Sequence, residues 1–304
     1  MKILFLGTPE FSAEILRRIP KKHTIVGVVS QPDRAKDRKG NLLPTPLKKY
    51  AVEHGIKVYQ FERIKKCVDE VKEIDADIFV TAAYGQILSQ EIIDLPKYGI
   101  INVHTSLLPL YRGSSPIQSA ILNGDKITGV TIMQTDVGMD TGDILMSKSV
   151  EIKERTAGEL SEELIEVGSA LLNQTLDMIE NGTVRRIKQD DSKATKCKMI
   201  SDEDALIKWD EDSEHIYNRI RAYNPSPVAY TTFCGERIKI YKATLCNEIG
   251  QAGQVLCADK NGIAVACGKG AINITVLQPS GKKAMDAAAF LNGKKIKQGD
   301  YFGN

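Results

Sequence analysis

The first 180 residues of the chain alternate short apolar runs with segments of helical periodicity, and this alternation constrains the fold most strongly. Residues 2–6 form an apolar run that ends at Gly7, and the following residues place Phe11, Ile15 and Ile19 at helical spacing. Further apolar or β-branched runs, with the helix-like segment 46–54 among them, lie at residues 24–30, 56–59, 77–83, 100–104, 128–134 and 144–152. This alternation predicts an α/β domain, doubly wound, with a mostly parallel sheet and helices on both faces.

The pattern changes after a long amphipathic helix, which we predict over residues 156–180 because its leucines recur at helical spacing up to Gly182. Beyond a predicted helix at residues 213–222, short β-rich runs separated by glycine-containing turns indicate a small C-terminal antiparallel β-barrel. We therefore predict a first domain at residues 1–184, a basic linker at 185–202 and a second domain at 203–304.

The longest stretches without a charged residue are too short to span a membrane. Residues 98–111 and 222–235 hold 14 residues each, whereas a transmembrane helix needs about 20. The apolar run before Gly7 is also too short for the core of a signal peptide. We expect a cytoplasmic protein with no membrane association.

Charge is distributed unevenly along a chain whose net charge is only +2. Residues 219–304 contain 12 basic and 5 acidic residues, so they carry +7 and the remainder carries −5. Residues 17–49 and 182–198 are further basic segments. Any one of these segments alone is explained by a solvated surface, but three together indicate a polyanionic partner such as a nucleic acid.

Several common cofactor sites are not indicated by the sequence. The turn after the first predicted strand, at residues 7–12, lacks the second and third glycines of a dinucleotide-binding fingerprint, and no phosphate-binding loop of the Walker type occurs. The six cysteines include no C-x-x-C pair, and the four histidines are not spaced as metal ligands. We therefore expect no metal.

The segment 101–116, with the sequence INVHTSLLPLYRGSSP, is the most informative one for chemistry. Its predicted strand ends near His104, and ligands of open α/β sheets bind outside the carboxyl ends of strands. Asn102 and His104 are two residues apart, so they should face the same side. An imidazole can move protons near pH 7 and an amide can donate to a developing oxyanion. The alternative is a histidine that is hydrogen-bonded in a turn.

A second segment, QTDVGMDTGDI at residues 134–144, follows the next predicted strand and contains Asp136, Asp140 and Asp143. One of these carboxylates could orient the imidazole and stabilise its protonated form. Aspartate and glycine are also ordinary turn residues. The spacing alone leaves the choice among the three aspartates open.

These two segments together resemble the formyltransferases that use 10-formyltetrahydrofolate. The matching strings are N-V-H-x-S-L-L-P-x-x-R-G-x-x-P from residue 102 and D-V-G-M-D-T-G-D from residue 136. Further matches are Q-P-D-R at 31–34, A-Y-G at 83–85, R-A-Y-N-P at 221–225 and L-Q-P-x-G-K-K-A-M at 277–285. The last two strings resemble the C-terminal domain of the members that act on methionyl-tRNA.

The resemblance implies a Rossmann-like catalytic domain followed by an OB-like barrel, with Asn102, His104 and Asp140 as the catalytic residues. Asn102 and protonated His104 would stabilise the oxyanion formed when the methionine amine attacks the formyl carbon. Asp140 would hold His104 in its working tautomer and help to take the excess proton from the amine.

The resemblance also implies the partners of the protein. A reduced folate would bind as co-substrate against four residues, Ser106, Leu107, Leu108 and Pro109. Initiator methionyl-tRNA would contact Arg38 in a basic loop, and no obligatory protein partner is expected. The alternatives are a formyltransferase acting on a small amine, such as glycinamide ribonucleotide or a nucleotide-linked amino sugar, and an RNA-binding protein without catalysis. The basic C-terminal third argues against the first, and the intact Asn102, His104 and Asp140 argue against the second.

Overall fold

The computed structural model describes residues 1–36, 39–293 and 296–303, and its elements alternate as the sequence predicts. The strands are β1 (Lys2–Gly7), β2 (Thr24–Ser30), β3 (Val58–Gln60), β4 (Ile78–Ala82), β5 (Ile100–His104), β6 (Arg112–Gly113), β7 (Ile127–Gln134), β8 (Ile144–Glu151), β9 (Lys196–Cys197), β10 (Tyr230–Phe233), β11 (Glu236–Cys246), β12 (Val255–Asp259), β13 (Gly262–Ala266), β14 (Ala271–Pro279) and β15 (Met285–Asp286). The helices are α1 (Glu10–Arg17), α2 (Pro46–Glu53), α3 (Val68–Lys72), α4 (Gln90–Ile93), α5 (Pro116–Leu122), α6 (Ala157–Glu180), α7 (Ser213–Ala222) and α8 (Ala287–Gly293).

Seven of these strands form one sheet in the order β3-β2-β1-β4-β5-β7-β8. The pairs from β3 to β5 are parallel, whereas β7 is antiparallel to both β5 and β8. This arrangement confirms the predicted doubly wound, mostly parallel sheet. The central position of β1 explains its apolar composition, since Ile3, Leu4, Phe5 and Leu6 are completely buried.

Most predicted elements are found within a few residues of their predicted bounds. The helical spacing in the sequence predicted that helix α1 extends to Ile19, but the helix ends at Arg17. The reason is Pro20, because a proline disfavours helical geometry in the residue before it.

The long helix α6 is present as predicted and packs closely on the sheet. Its start is fixed by a reciprocal cap, in which the Thr156 main-chain N–H donates to the Glu159 carboxylate (2.8 Å) and the Glu159 N–H donates to the Thr156 hydroxyl (3.3 Å). A Cβ atom added at Gly168 would lie 3.3 Å from Val103 of β5 and 3.4 Å from Val130 of β7. The absence of a side chain at this position lets the helix approach the strand that carries Asn102 and His104.

The C-terminal part of the chain forms a second, antiparallel sheet in the order β10-β11-β14-β13-β12, with β15 paired to β14. This confirms the predicted change to antiparallel pairing. Its core contains Trp209 and Ile216 before the sheet and side chains such as Ile240, Val265 and Ile274 from its strands. The sheet therefore has a hydrophobic core of its own.

Backbone contacts divide the chain into two units. The first unit comprises residues 1–116, 127–151 and 161–198, and the second unit comprises residues 117–126, 152–160 and 199–304. The predicted domain boundaries differ from this division, because they assign residues 117–126 and 152–160 to the first domain. Residues 152–160 belong with the second unit since the buried Arg221 of α7 donates hydrogen bonds to the carbonyl groups of Lys153 (2.9 Å) and Arg155 (3.2 Å).

Most of the predicted linker, residues 185–202, is built into the first unit. Ile187 and Ile144 exchange main-chain hydrogen bonds of 2.8 and 2.9 Å, and β9 pairs in parallel with β6. Sequence periodicity cannot show these contacts because both β6 and β9 are only two residues long. Within the residues that the structure describes, no helix combines the length and apolarity that crossing a membrane requires.

Candidate active site

Strand β5 lies between β4 and β7 and carries both Asn102 and His104. Asn102 is paired with Thr81 of β4 and Met133 of β7, whereas His104 is paired with Thr131 of β7. Because side chains two residues apart on a strand point to the same face, the amide and the imidazole share one face of the sheet. His104 is 5% exposed and Asn102 is half-buried. The structure thus brings these two predicted residues together.

The main chain orients the imidazole of His104. Its Nε2 atom lies 2.9 Å from the carbonyl oxygen of Tyr111, and because a carbonyl can only accept, Nε2 must carry a proton. In the neutral ring, Nδ1 then carries the lone pair and lies 3.7 Å from Oδ2 of Asp140. That distance is longer than a hydrogen bond. The resemblance implied that Asp140 selects the tautomer of His104. In the structure, the Tyr111 carbonyl selects it.

The loop at residues 135–143 brings Asp140 to His104 from the opposite end of β5. Because β7 is antiparallel to β5, its last residue, Gln134, is paired with Ile101 and not with His104. The loop must therefore fold back along the sheet. Oδ2 of Asp140 accepts a hydrogen bond of 2.8 Å from the N–H of Gly113. This contact fixes the oxygen that faces the imidazole.

The other two aspartates of this loop have different surroundings. Oδ1 of Asp136 accepts hydrogen bonds from the Gly138 N–H (3.0 Å) and the Thr141 hydroxyl (2.6 Å), which closes a turn of the loop itself. Asp143 lies where the loop rejoins the sheet, and its carbonyl oxygen accepts from the N–H of Gln134 at 2.8 Å. Of the three carboxylates that spacing could not separate, Asp140 is the one with an oxygen recorded within 4 Å of His104.

The amide of Asn102 is oriented by the neighbouring strand. The hydroxyl of Thr81 lies 2.9 Å from Oδ1 of Asn102 and 3.3 Å from the carbonyl oxygen of Ile101. With its oxygen occupied by this hydroxyl, the amide has its NH₂ group left to donate. Asn102 therefore presents a donor on the same face of the sheet as His104.

The predicted folate-binding residues 106–109 form a compact turn directly after β5. The buried Ser106 hydroxyl donates to the carbonyl oxygen of Leu110 (2.6 Å), and the Ser106 carbonyl accepts from the Thr131 hydroxyl (2.7 Å). Leu108 is also buried. The half-buried Leu107 and Pro109 are thus the side chains of this segment with surface left for a ligand.

Sequence reasoning missed Gln189, which joins the Asp140 loop to a buried arginine. Its Nε2 atom donates to the carbonyl oxygens of Asp140 (2.9 Å) and Gly142 (2.7 Å). Its Oε1 atom accepts from Nε (3.0 Å) and Nη2 (2.8 Å) of Arg112. A buried arginine inside the matched R-G string is a signal that an acceptor is needed. However, Gln189 lies 77 residues further along the chain, in a segment without periodicity.

A cleft of about 490 Å³ lies beside the same loop but away from the three candidate catalytic residues. Its lining includes Tyr98, Gln134, Val137 and Asp143. These positions are at the amino end of β5, whereas His104 ends the strand. Among the described residues that line the cleft, none is Asn102, His104 or Asp140, so this cavity does not contain the candidate catalytic groups.

Family comparison accounts for both units of the chain. Residues 1–176 match the formyl transferase family model, and residues 199–295 match the model of the formyl transferase C-terminal domain. The chain belongs to the formyl transferase family. The resemblance found in the sequence is thereby confirmed, and Asn102, His104 and Asp140 all lie in the segment that the first model covers.

Two full-length relatives of this formyl transferase are methionyl-tRNA formyltransferases. It is 40% identical to methionyl-tRNA formyltransferase of Geobacter metallireducens over 308 residues, covering 100% of this chain and 99% of the relative. It is 44% identical to methionyl-tRNA formyltransferase of Bacillus velezensis over 309 residues, covering 99% and 98% of the two chains.

Solved structures share the fold at lower identity. An N-formyltransferase from Helicobacter canadensis, in complex with folinic acid and dTDP-3-aminofucose, matches with a TM-score of 0.69 and 24% identity over 90% of this chain and 99% of that one. Methionyl-tRNA formyltransferase from Clostridium thermocellum matches with a TM-score of 0.54 and 21% identity over 81% and 94%. These likenesses support the fold of this formyl transferase.

The basic loop of this formyl transferase, residues 31–45, follows β2 at the carboxyl edge of the parallel strands. The predicted tRNA-contacting residue, Arg38, lies outside the residues that the structure describes. On either side of it, Lys36 and Leu42 form an antiparallel bridge, and the Leu43 N–H donates to the carbonyl oxygen of Ala35 (2.8 Å). The described parts on the two sides of Arg38 are therefore paired antiparallel to each other.

Asp33 anchors the base of this loop. Its carboxylate accepts hydrogen bonds from Lys48, from Nε2 of Gln60 (2.9 Å) and from the N–H of Thr45 (3.2 Å). Burial by itself raises the pKa of Asp33, but the hydrogen bonds from Lys48, Gln60 and Thr45 outweigh it and hold the pKa below its ordinary value. Asp33 is therefore ionised at neutral pH, and its charge ties both ends of the loop to α2 and β3.

Proposed function

We propose that this formyl transferase transfers the formyl group of 10-formyltetrahydrofolate to the α-amino group of initiator methionyl-tRNA. The products are formylmethionyl-tRNA for translation initiation and tetrahydrofolate, which is the leaving group. The observation that carries the proposal is the identity of 40–44% to proteins named methionyl-tRNA formyltransferase, which extends over both units. Because the substrate is a tRNA, we also propose a cytoplasmic location.

The residues around the candidate site fit a reduced folate. Large apolar side chains are exposed at Ile87, which follows β4, and at Met139, which precedes Asp140. Leu107 and Pro109 add half-buried apolar surface. Such surface next to main-chain polar groups suits a flat heterocycle that is rich in hydrogen-bonding atoms. When bound, the folate supplies the activated formyl group.

Two donors are available for the negative charge that develops on the formyl oxygen. One is the NH₂ group of Asn102, whose own oxygen is occupied by Thr81. The other is Nδ1–H of protonated His104, because Nε2–H is already used by the Tyr111 carbonyl. Fixed donors of this kind require no reorganisation when charge develops, and the loss of one costs about 10²–10³-fold in rate.

Asp140 has two roles in this proposal. Its carboxylate lies on the Nδ1 side of His104, where a negative charge stabilises the protonated ring. It also supplies a base that takes the excess proton of the attacking amine, directly or through water. The Gly113 N–H donates one hydrogen bond to the Asp140 carboxylate and leaves its negative charge unchanged.

A small-amine acceptor is the second candidate, since the fold is shared with an enzyme bound to dTDP-3-aminofucose. The basic C-terminal segment favours tRNA, because residues 219–304 carry +7 and a polyanion gains from each contact with them. Full-length relatives that are named for methionyl-tRNA favour the same choice.

One acceptor panel tests the proposal. The purified protein is incubated with 10-formyltetrahydrofolate and, separately, methionyl-tRNA, free methionine, glycinamide ribonucleotide and a dTDP-amino sugar, with His104→Ala as the catalytic control. We expect formyl product on methionyl-tRNA alone, and strongly reduced product with His104→Ala. Product on a small amine in preference to methionyl-tRNA would overturn the proposed acceptor.

A further inference from the structure

The carboxamide of Gln189 makes four hydrogen bonds, and their directions divide it into two halves. The NH₂ half donates to the carbonyl oxygens of Asp140 (2.9 Å) and Gly142 (2.7 Å), and the oxygen half accepts twice from Arg112. Glutamate offers no donors and lysine offers no acceptor, so neither can make both sets of contacts. The side chain is therefore matched to its place between a cation and two carbonyl groups.

The loop that Gln189 holds adopts a demanding conformation. Asp140 has a φ of +55°, in the left-handed region that disfavours residues with a Cβ atom. Gly142 is so close to the opposite side of the loop that an added Cβ would lie 1.7 Å from the Gln134 carbonyl oxygen. Such a conformation persists only where the surroundings determine it. One of the two bonds from Gln189 goes to the carbonyl oxygen of the strained Asp140 itself, and the other goes to that of Gly142.

Together with Gln189, Arg112 and its neighbour Gly113 form a clamp on the Asp140 loop. The N–H of Gly113 donates to the side chain of Asp140. Arg112 donates to the Gln189 side chain, which in turn holds the main chain of Asp140. Arg112 is 6% exposed, so its guanidinium has little freedom to move. Arg112 also donates a hydrogen bond of 2.7 Å to Asp191. The side chain of Asp191 is largely exposed and makes no hydrogen bond to the described residues of the Asp140 loop.

We propose that Gln189 is a positioning residue that holds Asp140 beside His104. The inference rests on the proposed function, because it assigns Gln189 a task through the proposed Asp140–His104 pair. Without the two donors of Gln189, the loop would lose the contacts that keep Asp140 Oδ2 at 3.7 Å from His104 Nδ1. Misplacement of a reacting group by about 1 Å can cost about 10²-fold in rate.

Kinetics of two variants test the proposal. Gln189→Glu keeps the acceptors for Arg112 and loses the donors, whereas Gln189→Met is neutral and loses both. We expect each to lower kcat by about 10–100-fold, with the KM for folate changed by less than about twofold. The matched control is Asp191→Ala, which removes another acceptor of Arg112 without touching the loop and should keep the wild-type kcat. A wild-type kcat in both Gln189 variants would overturn the proposal.

A double-mutant cycle separates positioning from a general loss of structure. If Gln189 acts through Asp140, then Gln189→Met should cost little in the background of Asp140→Asn, because the two changes remove the same contribution. A full, multiplicative loss in that background would contradict the proposal. Thermal unfolding of each variant shows whether the fold has been retained.

A spectroscopic measurement tests the same contact without activity. With glycine labelled by ¹⁵N, the amide proton of Gly113 reports its hydrogen bond to Asp140. We expect this resonance to move upfield in Gln189→Met, as in Asp140→Asn, and to stay in place in Asp191→Ala. If it stays in place in Gln189→Met, the proposal fails. If it moves but the wild-type protein formylates no methionyl-tRNA, the clamp holds and the proposed function fails.

Discussion

Two loops of the first unit are held in different ways. The Asp140 loop, residues 135–143, is bound along its length, by Asp136 within its own turn, by Gly113 at the Asp140 side chain and by Gln189 at the main chain. The basic loop, residues 31–45, is anchored at its base through Asp33. Further out, Leu42 and Leu43 are exposed, and the described main chain is bonded within the loop itself, from the Leu43 N–H to the Ala35 carbonyl oxygen.

The difference corresponds to what each loop is proposed to do. A group that takes part in proton transfer must be placed to within a fraction of an ångström, which requires fixed partners on every side. A loop that contacts a large, charged substrate needs reach more than precision, and a firm base with an exposed outer part provides it. We therefore expect changes in the Asp140 loop to alter the chemical step and changes in the basic loop to alter tRNA recognition.

The largest effect is expected at strand β5 itself. Replacing Asn102 or His104 by alanine should lower kcat by about 10²–10³-fold with the fold intact, because each removes a group that stabilises developing charge or moves a proton. Steady-state formylation with saturating methionyl-tRNA measures the effect, and circular dichroism checks the fold. Wild-type turnover in a folded His104→Ala protein would remove His104 from the mechanism.

The next effect separates the three aspartates of the Asp140 loop. Asp140→Asn should retain folate binding and lose about 10²-fold in turnover, since a neutral amide cannot stabilise the protonated imidazole. Asp136→Asn and Asp143→Asn are the matched controls, because both lie in the same loop and should do less. If either control proved more damaging at saturating folate, the choice of Asp140 would be wrong.

Smaller effects are expected for the basic segments that contact tRNA. Arg38→Ala should lower kcat/KM for methionyl-tRNA by about tenfold and reduce discrimination among tRNAs, since a guanidinium can grip a phosphate or stack on a base. Replacing Lys282, Lys283, Lys294 and Lys295 together should weaken all tRNAs alike and flatten the salt dependence by about 0.7–0.9 log units per lost phosphate contact. Arg38 and the last two lysines lie outside the described residues. Titrations of tRNA at several salt concentrations decide between these roles and a merely solvated surface, which predicts unchanged affinity and slope.

The smallest effect is expected at the base of the basic loop. Asp33→Ala should raise the KM for tRNA by about threefold, because it releases Lys48 and Gln60 from the loop, while kcat changes little. The control is Glu62→Gln in the pair of Glu62 with Arg34, where both side chains are exposed and contribute little. An equal effect of both substitutions would mean that Asp33 does not anchor the loop.

Sequence reasoning succeeded where the signal is periodic. Strands β2 and β5 and helix α7 have the predicted bounds, because buried runs and a helical repeat reflect local geometry directly. The direction of β7 could not be predicted, since an apolar run indicates a strand but not whether its neighbour is antiparallel.

Two features of the site also left no signal in the sequence. The tautomer of His104 depends on the carbonyl oxygen of Tyr111, and every residue has a carbonyl group, so no residue type marks this contact. The contacts of Gln189 join segments that are far apart in the chain and lack periodicity. Spacing limited the carboxylate to three candidates and the family resemblance selected Asp140, whose loop folds back along β5 to His104.

The most direct test of the contrast between the two loops is single-turnover formylation over a range of tRNA concentrations, with Asp140→Asn and Asp33→Ala measured side by side at saturating folate. The account predicts that Asp140→Asn lowers the maximal rate constant and leaves the half-saturating tRNA concentration unchanged. Asp33→Ala should raise the half-saturating concentration and leave the maximal rate constant unchanged. If both substitutions changed the same parameter, the division between a loop for chemistry and a loop for tRNA would be contradicted.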